Sequence, residues 1–215
     1  MTLTPIKTPL VAKKMFPNFV WDMATDTKDL YLTFDDGPTP EITEWVLKVL
    51  KEYNALATFF CIGKNIEEHP NIFKEIITAG HAIGNHTQNH LKGWKTDSDV
   101  YIENTIKAQS LINLHQTNVS NFKLFRPPYG KIKPSQSKSL LALNYKIIMW
   151  DVISFDWDKE VSEETCLNNV ISKATKGSIV VFHDSIKASK NMQYALPKVL
   201  EHFSNLGYNF KPITF

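Results

Sequence analysis

Thr33-Phe34-Asp35-Asp36-Gly37-Pro38 places two adjacent carboxylates directly behind the apolar run Leu30-Tyr31-Leu32. A short apolar run closed by Gly-Pro reads as a buried strand ending in a turn. Both aspartates are therefore expected where the strand runs out, which is where parallel α/β sheets keep their chemistry. Neighbouring side chains on a strand point to opposite faces, and only a turn at its end lets Asp35 and Asp36 address one site in two ways. Taken alone, the pair is more simply read as turn carboxylates capping a helix that starts near Thr39. Asn85-His86-Thr87-Gln88-Asn89-His90 shifts that balance. Two histidines at i and i+4 fall on one face of a helical turn, close enough to hold one ion. Zinc asks for neutral imidazoles and at most one hard oxygen, with a position left for water, and His86, His90 and one of the paired aspartates make that set.

Three more motifs follow in order: Arg126-Pro127-Pro128-Tyr129-Gly130, the stretch from Asp151 to Asp156-Trp157, and Val181-Phe182-His183. With these five the chain resembles the polysaccharide deacetylases of the NodB-homology type, carbohydrate esterase family 4, from about Leu30 to the C-terminus. The fifth motif departs from the family's Leu-x-His by one apolar exchange, which touches packing under the histidine and not the histidine. The resemblance implies that Asp36, His86 and His90 bind a divalent metal, Zn2+ first, with Co2+, Ni2+ or Mn2+ as alternatives. It implies that Asp35 is the general base and that Arg126 positions it. It also implies that the Tyr129 N–H helps form an oxyanion hole, that Asp156 orients His183, and that His183 is the general acid.

The residues support these roles to different degrees. Arg126 before a diproline is, on its own, a surface residue in a rigid turn. The same prolines would also stiffen the loop so that the Tyr129 N–H aims at one point, as a preorganised oxyanion donor must. His183 closes a strand, and a carboxylate such as Asp156 beside it would raise its pKa and keep it protonated. Trp94, Trp157 and Tyr129 lie on or next to motif loops, where their rings are candidates to bind sugar faces. For the two tryptophans the alternative is plain core filling. His69, His81, His115 and His202 have no such context and are read as structural or surface residues.

Every motif follows a stretch that reads as a strand. Helical spacing after Pro40, then over 66–79, 97–115, 135–143, 163–174 and 193–203, alternates with strands over 57–62, 81–84, 122–125, 146–150 and 178–182. Alternating β and α in one domain argues for a parallel sheet with outer helices, and reactive residues after several different strands argue for a closed or nearly closed barrel. The resemblance implies a distorted (β/α) barrel of about seven strand–helix units. Residues 1–28 are expected as a non-repeating lead-in whose Phe16, Phe19, Val20 and Trp21 pack on the barrel, and 29–215 as the catalytic domain.

The 215 residues suffice for one sizeable core, and 43% hydrophobic with 21% charged residues is ordinary globular composition. A net charge of +2 with scattered lysines gives nucleic acid no stripe to bind. Cys61 and Cys166 belong to no Cys-x-x-Cys pair, so no disulfide framework or thiolate site is indicated. No stretch reads as a secretory leader or a membrane span, which suggests a cytoplasmic protein, or an extracytoplasmic one from which a leader has been removed. The expected activity is hydrolysis of N-linked acetyl groups on N-acetylglucosamine-type sugars of a poly- or oligosaccharide, with release of acetate. An O-acetyl sugar esterase, a small-amide hydrolase and a catalytically silent carbohydrate-binding domain are the alternatives.

Overall fold

The computed structural model describes residues 4–116 and 122–215. In chain order the strands are β1 (Phe19–Val20), β2 (Asp29–Asp35), β3 (Thr58–Cys61), β4 (Ala82–Asn85), β5 (Lys123–Phe125), β6 (Tyr145–Ile148), β7 (Val152–Ile153), β8 (Ile179–His183) and β9 (Asn209–Phe210). The helices are α1 (Leu10–Met15), α2 (Ile42–Glu52), α3 (Gly63–Glu68), α4 (Pro70–Thr78), α5 (Ser98–His115), α6 (Pro134–Ala142), α7 (Glu163–Ile171) and α8 (Ser189–Asn205).

β2 is buried at every position and so needs cover on both faces. Its alternation decides what each face receives. Leu30, Leu32 and Phe34 join one cluster with Val46 and Leu50 of α2 and Leu196, Val199 and Leu200 of α8. Tyr31, Thr33 and Asp35 point the other way, into the barrel, where Tyr31 packs with Phe60, Ile148 and Ile179. The strand order is β1-β6-β5-β4-β3-β2-β8-β7, every neighbouring pair is parallel, and β9 adds to β2. Register then aligns the strand ends: Asp35 is opposite His183 on β8 and Phe60 on β3, while Asn85 is opposite Cys61 and Phe125. All the motif loops therefore leave from one end of a distorted (β/α) barrel.

β6 and β7 are consecutive in sequence, yet β7 ends that order on one side and β6 stands next to last on the other, with β1 beyond it, and the N-terminal lead-in fills the seam between them. β1 pairs with β6, and Lys7 bridges to Val152 of β7. The Thr8 N–H donates to the Asp151 carbonyl and the Ile153 N–H to the Ile6 carbonyl. Phe19 and Trp21 pack on the cluster of Tyr101, Phe125, Leu140, Tyr145 and Ile147.

The seam is locked by Asp151, which takes Lys13 at 2.6 Å, Lys7 at 2.8 Å and the Ser178 hydroxyl at 2.6 Å. Burial by itself would raise this carboxyl's pKa, but its donors outweigh burial and hold it below the ordinary value. Asp151→Asn is expected to cost roughly 1–3 kcal/mol at neutral pH, measured from urea midpoints. Because the folded pKa is depressed, that difference should fade as pH falls below about 3.9.

Three expectations need correction. The helix read over 66–79 is two helices, because Pro70 lacks an N–H and forces the residue before it out of helical conformation; His69 has φ −132°. The strand read over 146–150 ends at Ile148, where the chain turns towards β7. The last helix begins at Ser189, a full turn earlier than its apolar spacing suggests. No helix among the described residues is long and apolar enough to cross a membrane.

Candidate active site

Asp35 is the last residue of β2 and points into the barrel, 4% exposed. A carboxylate there needs a countercharge, which Arg126 supplies from the end of β5 with Nη1 2.7 Å from Oδ1. Arg126 is itself fully buried, and every face of its guanidinium is used. Nη1 also donates to Thr33 Oγ1 at 2.7 Å, Nη2 to the Met149 carbonyl at 2.9 Å and Nε to the Ile148 carbonyl at 3.2 Å. The guanidinium also lies over the Phe60 ring, 4.1 Å from its centre. Burial alone would raise the Asp35 pKa; Arg126, with His183, reverses the shift and keeps the group ionised. The reading of Arg126 as a surface turn residue therefore fails, and the diproline after it holds the loop over a buried cation.

Asp36 leaves the strand with φ 85°, which turns its side chain away from that of Asp35. The Asp36 Oδ1 atom lies 3.3 Å from His90 Nε2 and 3.8 Å from His86 Nε2. The two imidazole centres are 5.0 Å apart. Residues 86–90 form no helical turn, contrary to the i, i+4 reading: Thr87 and His90 both have positive φ, and the rings come together across an irregular loop. His86 Nδ1 is 2.7 Å from the Arg126 carbonyl, so it carries the proton and leaves Nε2 with a free lone pair. Burial lowers the pKa of both histidines, that of His90 to about 4 with help from His86, so both rings are neutral.

These three residues offer donor atoms within 4.8 Å of one another, and Asp36 Oδ1 is buried with no hydrogen-bond partner among the described residues. A buried, unpartnered carboxylate oxygen aimed at two neutral imidazole nitrogens is unfavourable unless a cation sits between them. The set therefore fits a divalent metal with open coordination positions.

His183 ends β8 beside Asp35, and Asp156 grips it twice. Nδ1 is 2.8 Å from Asp156 Oδ1, and the His183 backbone N–H donates to Oδ2 at 2.7 Å. Trp157 meets the imidazole edge-on with centres 4.6 Å apart. Burial pulls this pKa down, but the charge and hydrogen bond of Asp156 prevail and raise it to about 9. Tyr129 has φ 60° in a tight turn where the Gly130 and Lys131 N–H groups close on Pro127 and Pro128. The Tyr129 ring packs on His90 at 4.6 Å.

Asp35, Asp36, His86, His90, Tyr129 and His183 line a cleft of about 440 Å³, with Trp150 and Trp157 on its walls, while Arg126 and Asp156 act from behind them. Trp94 does not line it: the indole is 61% exposed, donates to the Ile132 carbonyl and stacks under Lys131. Two participants carried no signal that was used in the sequence. Thr33 sits inside the first motif and accepts from Arg126. Asp184, fully buried, accepts from the Gly37 N–H at 2.9 Å and from Thr43 Oγ1 at 2.5 Å, tying the Asp-Asp turn to β8. A Cβ at Gly37 would fall 2.0 Å from Asp184 Oδ2, which explains glycine there. A carboxylate directly after the motif histidine, in His183-Asp184, was the available clue.

The family model described as polysaccharide deacetylase matches residues 22–148. A peptidoglycan-N-acetylglucosamine deacetylase of Bacillus cereus is 38% identical over 186 residues, 85% of this chain, and the chain spans 66% of that relative's length. A chitooligosaccharide deacetylase of Azorhizobium caulinodans is 34% identical over 155 residues, 72% of this chain and 73% of that one. Among solved structures, a peptidoglycan N-acetylglucosamine deacetylase in complex with 4-naphthalen-1-yl-N-oxidanyl-benzamide superposes with a TM-score of 0.86 at 33% identity, covering 96% of this chain and 95% of that one.

Proposed function

The chain belongs to the polysaccharide deacetylase family, and from that premise and the geometry above we propose that it is a metal-dependent hydrolase removing N-linked acetyl groups from N-acetylglucosamine-type sugars of a poly- or oligosaccharide, with release of acetate. One observation carries the reading. An ionised Asp35 and a protonated His183, opposite each other on adjacent strands, flank the donor set of Asp36, His86 and His90 in a single cleft. Amide hydrolysis needs one group to take a proton and another to give one, and here two buried partners, Arg126 and Asp156, hold the two groups in those opposite states.

Asp36, His86 and His90 would hold the ion, and two imidazoles with one carboxylate favour zinc over harder cations, with cobalt, nickel and manganese as competitors. When bound, the ion supplies Lewis-acid polarisation of the acetyl carbonyl and eases deprotonation of the attacking water. Asp35 takes the proton from that water. The Tyr129 N–H, unused by the turn around it, donates to the carbonyl oxygen as its charge grows. His183 delivers its Nε2 proton to the departing nitrogen, since an amine anion does not leave unaided. Trp157 fixes the imidazole from the side and offers an apolar wall to the sugar.

The test is acetate release with matching appearance of free amine, measured on N-acetylglucosamine oligomers, peptidoglycan fragments, acetylxylan and small amides. Chelation is expected to abolish turnover and zinc to restore it, with metal content followed by elemental analysis. Full activity in metal-free protein, or turnover confined to acetyl esters, would overturn the proposal. Binding of the oligomers without any turnover in zinc-loaded protein would favour the silent binding domain.

A further inference from the structure

The two histidines of the donor set are held in different ways. The His86 ring is fixed from behind by the Arg126 carbonyl, 2.7 Å from Nδ1. The His90 ring has no hydrogen-bond partner among the described residues; it rests on the Tyr129 ring, and its place beside Asp36 is set by the backbone that carries it. A metal-binding imidazole ordinarily has its second nitrogen tied to an outer partner. Without that tie, the loop over 86–90 must do the orienting.

That loop is strained. Thr87 has φ 63° and His90 φ 53°, and a β-branched residue such as threonine rarely enters the left-handed region. Such a conformation persists only where its surroundings over-determine it. Here they do so from three sides. Asn85 Oδ1 accepts from the Thr87 N–H at 2.8 Å, and the Gly63 and Lys64 N–H groups donate to the Thr87 and Gln88 carbonyls at 2.9 Å each. The third side is Asn104, half-buried on α5 and outside all five motifs. Its Oδ1 accepts from the Gln88 N–H at 2.9 Å and the Asn89 N–H at 3.1 Å, and its Nδ2 donates to Asn89 Oδ1 at 2.8 Å. The Asn104 carbonyl takes a further share of the Gln88 N–H at 3.2 Å. A carboxamide can accept two N–H groups on one atom and still donate from the other.

We infer that Asn104 is a positioning residue for the metal centre: by clamping residues 88 and 89, the link between the two left-handed residues, it sets where His90 presents its ring to the ion. The inference rests on the metal-dependent reading above and adds to it a residue that bonds to no member of the donor set and acts through the loop. Loss of an outer partner costs roughly 10–100-fold in metal affinity, and since the loop keeps its other ties, Asn104→Ala is expected at about the tenfold end.

The experiment measures zinc Kd by competition calorimetry, the visible absorption of cobalt-loaded protein, and the urea midpoint of metal-free protein. N104A is expected to weaken zinc about tenfold and to alter the cobalt bands, which report the geometry around the ion. N104Q, whose longer side chain carries the acceptor away from the two N–H groups, should do the same. N104D should stay close to wild type, because a carboxylate accepts both N–H groups and the Asn89 amide can turn to donate to it. E103A, at the exposed neighbouring position, should leave Kd unchanged. A residue that only supports the fold would lower the urea midpoint and leave zinc Kd and the cobalt bands alone. Equal zinc Kd in wild type, N104A and N104Q, unchanged cobalt bands in both variants, or a loss in N104D or E103A as large as in N104A would each overturn the inference. Weakened zinc binding in N104A of a protein whose wild type releases no acetate would leave this inference standing and remove the deacetylase reading. Acetate release by wild type with zinc Kd unmoved in N104A would remove this inference alone.

Discussion

Asp35→Asn is expected to lower kcat for acetate release by about 10²–10⁴ while the protein keeps its zinc, whereas Asp36→Ala should lose zinc and activity together. The two side chains are neighbours in sequence and nothing else. Asp35 ends inside the barrel against Arg126, and an asparagine there still offers Arg126 an oxygen while losing the basicity that the reaction needs. Asp36 turns outward at φ 85° and leaves one oxygen without a hydrogen bond among the described residues, 3.3 Å from His90 Nε2. Removing that oxygen takes away one of three donors, and a loss of at least about 100-fold in zinc affinity is expected, more than the usual cost of disturbing an outer partner. Calorimetric zinc titration and single-turnover acetate release separate the two effects. Zinc lost from Asp35→Asn and kept by Asp36→Ala would reverse the assignment. Circular dichroism of Asp35→Asn must match wild type, because an Arg126 left without a partner would unfold the site for a different reason.

The separation of these two aspartates was legible in the sequence only as far as the strand end. The apolar run at 30–32 announced the strand, and Gly37-Pro38 announced the turn. Which aspartate faces inward follows from the alternation of β2, and that is fixed only when α2 and α8 claim Leu30, Leu32 and Phe34. The histidine motif shows the opposite case. Its spacing suggested two rings close together, and their centres do lie 5.0 Å apart, but for a different geometric reason, since the positive φ of Thr87 and His90 replaces the supposed helical turn.

Arg126 was the hardest residue to read locally. Its partner charge, Asp35, lies 91 positions away, and its other acceptors include Thr33 and the carbonyls of residues 148 and 149. No pattern near residue 126 predicts a fully buried guanidinium. The lead-in was opaque for a similar reason. Its aromatic cluster signalled burial, but closing the seam between β6 and β7 depends on where those strands lie in the sheet. Trp94 shows the limit of reading aromatics from motif proximity, because its ring caps Lys131 outside the cleft.

His183→Ala is expected to damage amide cleavage far more than cleavage of an activated acetyl ester. An amide nitrogen must be protonated to leave, whereas a nitrophenolate departs with little help. Loss of roughly 10²–10⁴ in kcat is expected on an N-acetylated oligosaccharide and less than about 10 on the ester, with zinc content unchanged. The pH profile gives the same assignment a second test. Asp156 raises the His183 pKa to about 9, so the acid form dominates at neutral pH and amide turnover should fall as pH climbs through that value. A cation held beside Asp36 opposes the protonated ring, so the alkaline limb of zinc-loaded enzyme is expected at or below this value. Asp156→Asn keeps a hydrogen-bond acceptor for Nδ1 but removes the charge, and the limb should move down with the ester rate barely altered. Equal losses on both substrates in His183→Ala, or an alkaline limb that does not move in Asp156→Asn, would mean that His183 holds the oxyanion or the sugar, and the proton donor would have to be sought elsewhere in the cleft.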